Sequence, residues 1–259
     1  MDTAALYRIE ALVYGCKYSL TLNDVPFALD FTGRPLNSEI PGNEFVFTGM
    51  NILGVELFPV GSATSLEHGA EVSINIKRYT SESNPGEGVS VFSYNKEPGS
   101  IKELPFFSHF STVEMAVIHG PPIWLNNVII DITAVNQIRV ALDVFYQIWN
   151  AFSNQETERI IELCQLRFQH YEKCYNLPPG NREVVMREKL LEVFNDDFTL
   201  VNFDLSIFTP QIFASGKLIS LKDKQGYSFV MYYNYSNRTL VEFPFFIGFN
   251  QAKELVVFL

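Results

Sequence analysis

The first half of the chain is patterned with a period of two. Ile52, Gly54, Glu56 and Phe58 alternate with Leu53, Val55 and Leu57, and Val72, Ile74 and Ile76 alternate with Glu71, Ser73, Asn75 and Lys77. Successive side chains of a strand point to opposite faces, so this alternation predicts strands with one buried face. Residues 7–22 are mostly apolar and β-prone. Leu22-Asn23-Asp24-Val25-Pro26 then supplies turn formers, Pro26 being unable to donate to a central ladder. Further strands are expected over 44–47 and 106–117, and the Ser-, Gly- and Pro-rich stretch 80–100 reads as a loop excursion around a short edge segment at 89–94. His119-Gly120-Pro121-Pro122 stops the sheet.

Near Thr133 the period changes. Behind Asp131 or Thr133, either able to cap a helix, Val135, Ile138, Leu142, Phe145, Trp149 and Phe152 recur at helical spacing. Ser153-Asn154-Gln155-Glu156 fits a capping box that opens a second helix, with Ile160, Cys164, Phe168, Tyr171 and Tyr175 as its buried stripe. Leu177-Pro178-Pro179-Gly180 ends that helix, and Asn181 can cap a third with Val184, Leu191 and Phe194 on its apolar side. Period two returns in Val201, Phe203, Leu205 and Ile207, and 212–221, 227–235 and 239–249 read as a strand meander. The expected architecture has two domains. Residues 1–133 form an all-β sandwich of jelly-roll type, and residues 134–259 an α+β domain of three helices packed on one curved antiparallel sheet.

Composition fits a globular chain. Of its 259 residues 47% are hydrophobic and 19% charged, and 23 Phe and 12 Tyr supply aromatic core candidates. The net charge of −10 is uneven: residues 1–133 hold 7 Lys+Arg against 15 Asp+Glu, giving −8, while residues 134–259 hold 12 against 14, giving −2. Such a surface repels nucleic-acid phosphates and anionic membranes, so neither is an expected partner, whereas a basic protein surface is. Cys16, Cys164 and Cys174 are an odd set with no disulfide-scaffold spacing, so reduced thiols are expected. The N-terminus has no basic-then-apolar leader pattern, and charge interrupts every long apolar window; a soluble cytoplasmic protein is the resulting expectation.

Chemistry is sparse. The chain has no HExxH, CxxC, GxGxxG or GK[ST] element, and neither metal nor cofactor is expected. Cys174 follows His170 by one helical turn, but Leu163 and Leu166 share that stripe, which favours a core histidine over a nucleophile's base. Cys164 stands more than about 100° around the helix from His170, too far for the three residues to grip one metal. Tyr227, Phe229, Met231, Tyr233 and Tyr235 alternate onto one strand face, an aromatic core against the helices, which leaves Val230 and Tyr232 on the outer face.

Two resemblances add to this reading. Leu22-Asn23-Asp24-Val25-Pro26 followed by Gly49-Met50-Asn51-Ile52-Leu53-Gly54-Val55 resembles the galactose-binding-like β-sandwich domains, with Asp24 where their pattern has Gly. That likeness implies a sandwich, in which Asn51 is expected to bond local backbone. The order of three helices followed by antiparallel strands looks like the NTF2-like or cystatin-like cone, and overall the chain is similar to uncharacterised two-domain bacterial proteins. The cone resemblance implies a ligand pocket formed by His170, Tyr233 and Tyr235, and a homodimer through the outer sheet face. Three functional expectations follow. The first is a non-enzymatic interaction protein, such as an immunity-type inhibitor, that engages a basic protein through its acidic N-terminal domain. The second is a small-molecule-binding or catalytic cone of isomerase or dehydratase type. The third is carbohydrate binding by the sandwich, which requires an exposed aromatic platform or a bound calcium.

Overall fold

The structure, a computed structural model, describes residues 5–80, 87–131, 133, 135–195 and 197–258. The chain divides into two compact units, Met1–Pro122 and Ile123–Leu259.

The front unit is a β-sandwich of two antiparallel sheets. Its strands are β1 (Leu6–Tyr14), β2 (Lys17–Leu22), β3 (Val25–Asp30), β4 (Leu36–Pro41), β5 (Gly49–Phe58), β6 (Glu71–Tyr79), β7 (Val89–Lys96) and β8 (Phe107–Met115). One sheet has the order β4-β1-β6-β7 and the other β3-β2-β5-β8. The alternation legible in the sequence is the burial pattern: Val72, Ile74 and Ile76 of β6 are fully buried, as are Leu53, Val55 and Leu57 of β5. Between β1 and β2, Gly15 has φ +69°, and a Cβ there would stand 2.9 Å from the Gly69 carbonyl oxygen, so only glycine fits this turn. Asn23 and Asp24, with φ of 56° and 63°, make the two-residue turn that matches the twist of a β2–β3 hairpin.

Asn51 does bond local backbone. It is fully buried, accepts from the Phe47 N–H at 3.1 Å and donates to the Phe47 and Gly49 carbonyls, both at 2.9 Å. Its Oδ1 also accepts from Asn23 Nδ2 at 2.8 Å, which staples the β2–β3 turn to β5. Two local expectations differ. Residues 43–45 form a 3₁₀ turn rather than a strand, and β4, whose residues are exposed or half-exposed, has no alternation by which to be recognised. Residues 81–86 of the loop excursion lie outside the described residues, and its edge segment is β7.

The back unit begins with α1 (Val135–Ser153), α2 (Thr157–Tyr175) and α3 (Asn181–Asn195). Ser153 is the last residue of α1 and does not cap α2; Glu156 precedes α2 without a side-chain cap bond. Among the described side chains of α3 Met186, Leu190 and Val193 are buried, while Val184 and Leu191 are 55% and 57% exposed, so the apolar side lies about a third of a turn from the expected one. Among the described residues no helix is long and apolar enough to cross a membrane.

The strands that follow are β9 (Phe198–Leu200), β10 (Thr209–Phe213), β11 (Leu218–Lys222), β12 (Met231–Asn234), β13 (Thr239–Glu242), β14 (Phe246–Phe249) and β15 (Leu255–Phe258). They form two small antiparallel sheets, β13-β12-β9 and β10-β11-β14-β15, in place of the single curved sheet expected. Pro244, which has no N–H to give a ladder, sits where the chain passes from one sheet to the other. The carbonyls on either side of it accept hydroxyls from two fully buried serines, Ser228 Oγ to Phe243 at 2.8 Å and Ser220 Oγ to Phe245 at 2.7 Å. The expected strand at 201–207 is also absent. Asp204 accepts from the Ser206 N–H at 2.8 Å, and its carbonyl accepts from Ile207 and Phe208, closing a turn.

Val230 and Tyr232 also lie elsewhere than the expected outer face. Both are buried, and Tyr232 Oη donates to the Phe152 carbonyl at 2.9 Å, so they belong to the core and not to an outer face. Phe229, Val230, Met231 and Tyr232 are buried in succession. The extended segment is only Met231–Asn234, and the irregular passage before it breaks the period of two.

Candidate functional site

Four adjacent strands align their outward residues on sheet β4-β1-β6-β7. Antiparallel register sets Glu10 between Glu39 and Asn75, Leu12 between Asn37 and Ser73, and Asn75 opposite Ser93. Together with Ala11, Ser38 and Ser90 they line an open groove of about 600 Å³. Short serine and asparagine side chains across β6 and β7 leave room that longer ones would fill.

The groove's charges are internally matched. Lys77 Nζ donates to Glu10 Oε1, Asn75 Nδ2 donates to Glu10 Oε2 at 3.0 Å, and Ser90 Oγ donates to Asn75 Oδ1 at 2.6 Å. The Lys77 bond holds the Glu10 carboxyl below its ordinary range, against the upward push of burial and with help from Asn75. Glu10 is therefore an acceptor rather than an acid. Glu39 forms an ion pair with Arg8. The side chains of Asn37, Ser73 and Ser93 make no hydrogen bond to another described residue, which leaves an amide and two hydroxyls on the groove face, whereas Ser38 stands opposite buried Ala11 and belongs to the other face of β4. Tyr14 lies on the same face of β1 two residues beyond Leu12, roughly 7 Å along the strand, and is 57% exposed. Chemically the surface is a floor of neutral donors and acceptors with an aromatic ring on the same face.

The residues expected to form a pocket in the back unit are placed differently. His170 is buried on α2 against buried Cys174, with Sγ 3.4 Å from Nε2 and 3.8 Å from Nδ1. Tyr233 lies on β12, paired with Leu240 and Thr199, and packs edge-on against Tyr235 with ring centroids 4.7 Å apart. Tyr235 is 72% exposed. The interior between helices and sheets is filled by rings: Phe145 meets Phe229 at 4.9 Å, Phe152 meets Phe243 at 4.9 Å, and Phe229 meets Phe245 at 6.0 Å.

No protein-family model, no curated protein and no solved structure matches the chain. The alternation in β6 marked Ser73, Asn75 and Lys77 as an outward set. What joins them to Glu10 is a pairing between residues 65 apart, and no local pattern encodes that partner.

Proposed function

We propose that the chain is a binding protein whose front sandwich recognises a carbohydrate on the outer face of sheet β4-β1-β6-β7. The observation that carries this reading is the groove, whose hydrogen-bonding groups are predominantly neutral and whose two carboxylates are already paired with cations. Hydroxyl-rich ligands exchange hydrogen bonds with amides, hydroxyls and fixed carboxylates, and their apolar faces stack on exposed rings such as Tyr14. The likeness of the Asn23 and Asn51 segments to galactose-binding-like domains agrees with a sandwich used for recognition, although in this chain those two asparagines are committed to holding a turn.

The charge excess of the front half favours a second reading, capture of a basic protein by an acidic surface, with an immunity-type inhibitor as one form. Arg8 and Lys77 on the groove face weigh against docking at that place. The aromatic filling between helices and sheets weighs against a ligand pocket of NTF2-like type at His170, Tyr233 and Tyr235.

A glycan array probed with the full chain at low and high salt separates these readings. Carbohydrate recognition gives discrete glycan hits that persist in salt, and Asn75→Ala, folded by its melting curve, weakens them about tenfold. Array silence, with capture of a basic protein that salt abolishes, would establish the acidic-surface reading instead.

A further inference from the structure

We infer that the back unit carries a second site, for a phosphate group, in the recess between α2, α3 and the β13–β14 passage. This inference is independent of the carbohydrate reading. The recess has a volume of about 70 Å³, and Arg167, Arg182, Lys189 and Glu242 are the charged residues in its wall. A cavity needs about 10–15 Å³ to admit one water, so this one admits a group of a few heavy atoms and no ring system.

Two helices bring the cations together. Arg182, Met186 and Lys189 lie on one face of α3 at spacings of four and three, and Arg167 comes from α2. Arg167 Nη1 donates to the Pro244 carbonyl at 3.3 Å, the Arg182 guanidinium stacks 4.5 Å from the Tyr171 ring centre, and the Lys189 ammonium lies 4.9 Å from that of Phe243. These contacts fix the direction of each charge. Among the described residues of the wall the single carboxylate is Glu242, which accepts from the Ser228 N–H at 2.7 Å, and three cations against it leave these residues at +2. Desolvation of the ammonium, then the neighbouring Arg167 and Arg182, bring Lys189 below its ordinary range against the opposing effect of Glu192 and Glu242. Two guanidiniums and an ammonium around a small volume suit the oxygens of a dianion better than those of a single carboxylate.

The test is calorimetric titration of the full chain with inorganic phosphate, with ionic strength held by sodium chloride and acetate as the second anion. Saturable binding of phosphate at one site is expected, with acetate much weaker. Lys189→Gln and Arg182→Gln should each weaken phosphate about tenfold or more, while Lys189→Arg retains it. In the unmutated chain, phosphate should slow amine acetylation at Lys189 and leave exposed lysines unchanged, a readout that does not depend on a variant folding. The proposal is overturned if phosphate gives no heat beyond the chloride control, if acetate binds as tightly, if the folded Gln variants bind like the parent, or if Lys189 gains no protection.

Discussion

Asp30 is only 2% exposed, yet it is held ionised. Burial pushes its carboxyl up, but the Thr32 hydroxyl, the Arg34 side chain and the Gly33 and Arg34 N–H groups all donate to it, and together they bring it below the ordinary value of 3.8. Folding thus favours the charged form. Its contribution is complete above the ordinary carboxylate range and is lost as pH falls through the folded value. Asp30→Asn should cost about 1–3 kcal/mol at neutral pH and flatten the acid limb of stability, as measured by urea unfolding at several pH values. The buried thiols make a complementary case. Burial pushes Cys16 up to about 12 and Cys164 up to about 11. In the folded chain both should resist a thiol-modifying reagent at mildly alkaline pH and react fully in denaturant, since the thiolate is the nucleophile. Modification of Cys164 at its unfolded rate, mapped by mass spectrometry, would contradict that burial.

At the scale of elements, the junction between the two small back sheets rests on side chains. Ser228→Ala leaves the buried Phe243 carbonyl without its hydroxyl donor and should cost about 1–3 kcal/mol in chemical denaturation, whereas a solvated junction would show no change. Gly248 of β14 sets a second constraint. A Cβ there would come within 2.6 Å of the Lys217 carbonyl oxygen and 2.1 Å of Asn127 Nδ2. Because Lys217 presents backbone, Gly248→Ala should destabilise the chain by about 1–3 kcal/mol, read as a lowered unfolding midpoint. Elements whose signal is local were legible in the sequence: the alternation in β5 and β6, the periodic run of α1 and the turn at Asn23-Asp24. Elements that depend on distant partners were not. β4 is an exposed edge, the apparent strand at 201–207 is overridden by Asp204's own turn bonds, and the inward facing of Tyr232 follows from a sheet break that no periodicity marks. The groove shows the same limit, since each strand supplies an ordinary polar face and only the register assembles them.

On the scale of the whole molecule, each unit carries its own core and its own candidate surface. The front unit combines a mostly negative charge with a groove whose ions are internally paired, so long-range attraction and short-range recognition need not have the same target. The back unit is nearly balanced in charge, and its interior is occupied by rings. The most direct test follows backbone amide shifts of the isotope-labelled full chain as the tightest glycan from an array is added. The account predicts perturbations confined to residues 10–12, 37–39, 73–75 and 90–93, together with Tyr14. Shifts that instead map to the back unit, or that spread over acidic residues away from this sheet, would contradict it.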